Sequence, residues 1–150
     1  MKGLDWTTVA LTALALLLVL TAYSNLSNHP VLAVVEGYSM FPTLMEGDIV
    51  VVVQKPAEQI HVGDIIIYRT SGGFIIHRVV GVKVIDGKYF FVTKGDNNEI
   101  PDFTYFEFAN GSLAGISYER VVGVVLSPFG IPIRIPYLGY LSIWIRSVVK

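Results

Sequence analysis

Residues 6–23 carry no charge, and leucine, alanine and valine fill most of them. As a helix, such a run reaches ~27 Å at ~1.5 Å per residue, close to the ~30 Å hydrocarbon core of a bilayer. Trp6 and Tyr23 stand at its ends, where amphipathic aromatics favour the headgroup zone. The pattern predicts an N-terminal transmembrane helix over 1–23, retained as an anchor, followed by a polar link over 24–30. A leader cleaved after Ser24 is the alternative, for which the apolar run is long. From residue 31 the period changes. Short β-branched or aromatic runs at 31–35, 49–53, 65–68, 74–82, 89–93 and 121–126 are separated by turn pairs such as Gly63-Asp64, Gly72-Gly73 and Asp86-Gly87. No amphipathic helical stretch lies between these runs. The pattern therefore predicts a compact, mostly antiparallel all-β domain over 31–136. The stretch 99–118 is the least regular and reads as a loop that leaves and rejoins the sheet. Over 137–150, apolar residues around Trp144 predict a helix lying at a membrane interface. Packing back on the β domain and a second short span are the alternatives.

Composition narrows the functional classes. Of 150 residues, 53% are apolar and 15% charged, and the excess sits in the first 23 and the last 20 or so. The formal net charge of −1 gives no electrostatic case for nucleic acid. Cysteine is absent, which excludes disulfides, thiolate catalysis and cysteine-based metal sites.

Candidate chemistry centres on the run GYSMFPTLMEGDIV, residues 37–50, where Ser39 sits among apolar neighbours. A serine hydroxyl needs a base to take its proton as it attacks, and histidine suits that role near neutrality. The chain has three histidines. His29 falls in the link and His61 in a scaffold-like turn, which leaves His77, mid-strand between Ile76 and Arg78. Alternation puts Ile75, His77 and Val79 on one face. A carboxylate must fix the tautomer of the base, and Asp96 and Asp102 are the candidates. An EF-hand reading of Asp96, Asn98 and Asp102 fails because Pro101 holds the position that needs glycine. No metal or cofactor is expected.

Five blocks occur in order: Ser39-Met40-x-Pro42-Thr43-Leu44, Gly47-Asp48, Val62-Gly63-Asp64-Ile65, Ile76-His77-Arg78 and Lys94-Gly95-Asp96-Asn97-Asn98. With them, the chain over about 8–142 resembles the type I signal peptidases of the archaeal and endoplasmic-reticulum branch. The resemblance implies a coiled antiparallel β domain on an N-terminal transmembrane helix. It implies Ser39 as nucleophile, His77 as base where the bacterial branch has lysine, and Asp96 and Asp102 as supporting acids. It implies removal of signal peptides from exported preproteins after small residues, by a membrane-bound serine endopeptidase whose catalytic domain lies outside the cytoplasm or in the lumen. Gly37, Tyr38, Met40, Leu44, Ile75 and Ile76 match positions near the substrate, where an extended chain would pair with strand edges. Preproteins, the lipid bilayer and secretory translocation components are the expected partners. Gly37 lacks the side-chain hydroxyl that many bacterial members carry there, so only the Ser39 amide is assigned to the oxyanion. The alternative functions are a membrane-tethered serine peptidase of narrow or self-processing specificity, acting near Ala22-Tyr23-Ser24, and a non-catalytic secretory scaffold.

Overall fold

The computed structural model describes residues 5–27 and 31–148. Helix α1 (Trp6–Ser27) precedes strands β1 (Leu32–Val34), β2 (Ile49–Val53), β3 (Ile65–Thr70), β4 (Gly73–Ile85), β5 (Lys88–Lys94), β6 (Glu107–Ala109), β7 (Ser112–Ser117), β8 (Val121–Val125) and β9 (Arg134–Ile135), and helix α2 (Tyr140–Val148) closes the order. The strands form one sheet in the order β1-β2-β8-β3-β4-β5-β7-β6, with β9 added to β2. All of its pairings are antiparallel.

The sequence of β3 explains why the sheet curls. Its residues Ile65, Ile66, Ile67 and Tyr68 are all buried, although successive side chains of a strand point to opposite faces. Ile65 and Ile67 enter one core with Val35, Met40, Leu44, Val50, Val52, Val122 and Val125. Ile66 and Tyr68 enter a second core with Ile60, Val79, Phe91, Ile116 and Val124. A flat sheet of this size would leave one face wet, so the strands coil until both faces are covered.

Two bulges help the sheet turn. Opposite β3, Val122 is the extra residue between the partners of Ile67 and Tyr68. Its carbonyl accepts from Gln54 Nε2 at 2.7 Å. On β4, Val80 is extra between Val79, paired with Thr93, and Gly81, paired with Val92. The bulge bends a strand of 13 residues just beyond His77.

The structure corrects the membrane part of the expected fold. A span requires about 20 predominantly apolar residues in one helix. Among the described residues, no helix is long and apolar enough to cross a membrane. In α1, Thr12 Oγ1 donates back to the carbonyls of Thr8 and Val9. The N-terminal transmembrane anchor over 1–23 is therefore not supported. The lipid-bilayer partner, the single-pass membrane localisation with an extracytoplasmic domain, and the membrane-bound or membrane-tethered function fall with it. Residues 1–4 and 28–30, including His29, lie outside the described residues.

The interfacial helix expected over 137–150 is also replaced. Helix α2 has nine residues. It starts against the sheet: Gly139 N donates to Gly47 O at 2.8 Å. The Tyr140 ring covers Gly47, where a Cβ would stand 2.4 Å from it. The irregular stretch 99–118 holds the short hairpin of β6 and β7 across Asn110-Gly111, whose residues both have positive φ.

Leu44 is fully buried in the first core, beneath the turn that carries Ser39. Leu44→Ala should lower the unfolding free energy by about 2–5 kcal/mol, read as a lower urea midpoint with an unchanged slope.

Candidate active site

Ser39 lies on the connection from β1 to β2. The ends of this connection are tied by Val35 N to Asp48 O and by Gly47 N to Val35 O, both 2.9 Å. Within it, Phe41 N donates to Tyr38 O and Leu44 N to Met40 O, closing two tight turns. Met40 and Leu44 plug into the first core on either side of Pro42 and Thr43, so the turn is nailed down by its own apolar residues. The fully buried Asp48 supports its far end, accepting from Met45 N at 2.9 Å and pairing with Arg134 at 2.6 Å.

The loop after β5 holds Ser39 from the other side. Asn97 N donates to Ser39 O at 2.8 Å. Gly95 passes so close that a Cβ there would lie 2.6 Å from Ser39 O and 2.8 Å from Asn98 Nδ2. Only glycine fits that approach.

His77 sits on β4 opposite Ile66 of β3 and is 6% exposed. Its Nε2 is 2.9 Å from Ser39 Oγ, and its Nδ1 is 2.7 Å from Asp102 Oδ2. Asp102 is buried, and its backbone N–H is fixed to Thr93 O of β5 at 2.9 Å. A carboxylate only accepts, so Nδ1 carries the hydrogen and Nε2 is left to accept from the serine. The same Oδ2 accepts from Tyr68 Oη at 2.9 Å.

Asp96 stands elsewhere. It forms a two-pronged pair with Arg78, with Oδ1 to Nε and Oδ2 to Nη2 both at 2.7 Å. Arg78 also donates to Gly63 O at 2.8 Å and reaches Thr43 Oγ1 at 3.4 Å. Partial burial would raise the Asp96 carboxyl, but hydrogen bonds from Arg78 and Thr43 and the charges of Arg78 and Lys94 hold it below the usual carboxylate range. The pair therefore links the serine turn, the 61–64 turn and the 94–98 loop.

A groove of about 1040 Å³ opens over the serine. Leu32, Ala33 and Val34 of β1 line it, as do Phe74, Ile75 and Ile76 of β4, together with Ser39, His77, Asn98 and Asp102. Of the residues expected near substrate, Ile75 and Ile76 line the groove, while Met40 and Leu44 are buried in the core. Gly37 and Tyr38 precede the serine on its turn, and Tyr38 is exposed. His61 is in the exposed turn before Asp64, which accepts from its backbone N–H. The side chains of Ala22, Tyr23 and Ser24 lie outside the described residues. Sequence reasoning missed Tyr68, whose only signal is a polar tip at the end of a buried isoleucine run.

A carboxyl held low in the folded state adds stability that is fully present above its unfolded value, and that stability is lost as pH falls through the folded one. Asp96→Asn should therefore cost about 1–3 kcal/mol at neutral pH. The gap to wild type should close as pH drops below the ordinary Asp value of 3.8. Urea unfolding at several pH values checks both statements.

Comparison with known proteins places this chain in a family. Residues 14–115 match the model described as peptidase S24-like. The chain is 33% identical to the signal peptidase complex catalytic subunit SEC11 of Plasmodium falciparum, over 81% of this chain and 62% of that protein. It is 31% identical to the Yarrowia lipolytica subunit of the same name, over 78% of this chain and 63% of that protein. With the Saccharomyces cerevisiae subunit the identity is 33%, over 84% and 71%. The chain thus spans somewhat less than two thirds of the length of the first two relatives. The family match covers more than half of the chain and the SEC11 identities extend over most of it: the protein belongs to the S24-like peptidases and is a homologue of the SEC11-type catalytic subunits.

Proposed function

We propose that this chain is a serine endopeptidase of the signal-peptidase type, with Ser39 as nucleophile and His77 as general base. The observation that carries the reading is the unbroken line from Ser39 Oγ through the two ring nitrogens of His77 to Asp102 Oδ2, at 2.9 and 2.7 Å. Homology to the catalytic subunits of signal peptidase complexes supports it. A preprotein carrying a signal peptide is accordingly the substrate class to test first.

The reaction is acyl transfer. Ser39 Oγ attacks the scissile carbonyl carbon while His77 Nε2 takes its proton. The negative oxygen of the tetrahedral intermediate turns toward the Ser39 backbone N–H. His77 passes the proton to the departing amine, the C–N bond breaks and an ester on Ser39 remains. Water, deprotonated by the same nitrogen, hydrolyses the ester and restores the serine. Asp102 fixes the imidazole tautomer and stabilises the imidazolium at each step. Asp96, held on Arg78, keeps the serine turn and the 94–98 loop in register. An extended substrate fits the groove between the β1 and β4 residues that line it.

Ser39→Ala and His77→Ala should each lower kcat/KM for a preprotein substrate by about 10³-fold or more, and Ser39→Ala, which removes a single oxygen, should keep the unfolding midpoint close to wild type. Cleavage by Ser39→Ala at the wild-type rate would sink the assignment.

A further inference from the structure

Asp102 receives two donors on one oxygen, and the proposed reaction uses only one of them. Tyr68 Oη donates to Asp102 Oδ2 at 2.9 Å, beside the His77 Nδ1 contact at 2.7 Å on the same atom. Tyr68 is fully buried, and its ring belongs to the second core with Ile66, Val79 and Phe91. A phenol placed there has to find an acceptor. The hydroxyl of Thr93 on β5, also fully buried, lies beside the phenol but completes no hydrogen bond of good geometry. The acceptor is Asp102.

The other groups facing this pair are few. From the segment after Asp102, Tyr105 meets the Tyr68 ring edge-on at 6.4 Å between centroids. The Arg120 guanidinium sits over the Tyr68 ring, 5.9 Å from its centroid, and pairs with Glu107 at 3.2 Å. From β4 comes His77. Burial and the adjacent Asp102 charge push the Tyr68 phenol well up from its ordinary value, so it stays protonated and remains a donor across the working pH range.

We propose that Tyr68 is a positioning residue for the proposed acyl transfer: its hydroxyl fixes the Asp102 carboxylate on His77 Nδ1 and tempers the charge that His77 meets. The inference rests on the Ser39–His77–Asp102 reading. A carboxylate with two donors on one oxygen cannot rotate away from the imidazole without breaking both bonds. It also shares its negative charge between the phenol and the ring. Without the phenol, the same carboxylate would hold a protonated His77 more tightly. The base would then stay blocked to higher pH.

The test is the pH profile of kcat/KM for preprotein cleavage by Tyr68→Phe, which removes one oxygen from a well-packed site. The acidic limb should move up by about one pH unit, and kcat should fall about tenfold, with KM within about twofold. Tyr68→3-fluorotyrosine, with a more acidic phenol and hence a stronger donor, should move the limb the opposite way, and it keeps the test open if the Phe variant folds poorly. Ile66→Val, in the same core, should lower the unfolding midpoint and leave the limb in place. Asp102→Asn separates the two readings. If it is inactive while both Tyr68 variants keep the wild-type limb, the positioning role is overturned and the triad stands. If it cleaves at the wild-type rate, both are overturned.

Discussion

The four buried residues from Ile65 to Tyr68 oblige the sheet to cover β3 on both sides, and that requirement shapes the rest of the molecule. An antiparallel sheet ordinarily keeps one face wet. Here the strands coil, two bulges take up the bend, and the connection after β1 folds down so that Met40 and Leu44 close the first core. Ser39 is carried to its place by that closure. The turn presenting the hydroxyl is thus part of the hydrophobic packing, which explains how a residue outside any strand or helix is held within hydrogen-bond distance of His77.

Two adjacent residues of β4 divide the polar work. His77 faces Asp102 and Tyr68, while Arg78 points to the opposite side and takes up Asp96. The sheet alternation that separates hydrophobic cores also separates the two carboxylates. One carboxylate meets a group that must gain and lose a proton. The other meets a permanent cation, Arg78, that also reaches Gly63 O and Thr43 Oγ1. Their distinct partners let one site hold two acids close in sequence without forcing them to share a proton.

Much of the sheet could be read in the sequence because its long strands are β-branched and bounded by turn pairs. The residues 49–53 and 65–68 stand out even without a structure. Strands β6, β7 and β9 could not be read: two or three residues carry no period, and β7 holds Gly115 against the backbone of Phe91. Ser39 and His77 could be singled out because nucleophile chemistry narrows the choice to a few residue types, and the structure brings their side chains to 2.9 Å. Which aspartate meets His77 was not legible, since it depends on how the 94–102 loop turns after β5. Tyr68 was hidden because a buried aromatic in an isoleucine run reads as core, which it also is. The N-terminal run was read from length and lack of charge alone, and the structure corrects the span inferred from it.

Gly95 makes a different point about such a site. The loop passes Ser39 O with no room for one added carbon. Placement of the proposed nucleophile is therefore set in part by a position that has no functional group and no proton to transfer. It acts as a feeler gauge between the serine turn and the 94–98 loop. A survey of this protein that ranked positions by chemical reactivity would place it last, although one added carbon there would press on the carbonyl of Ser39.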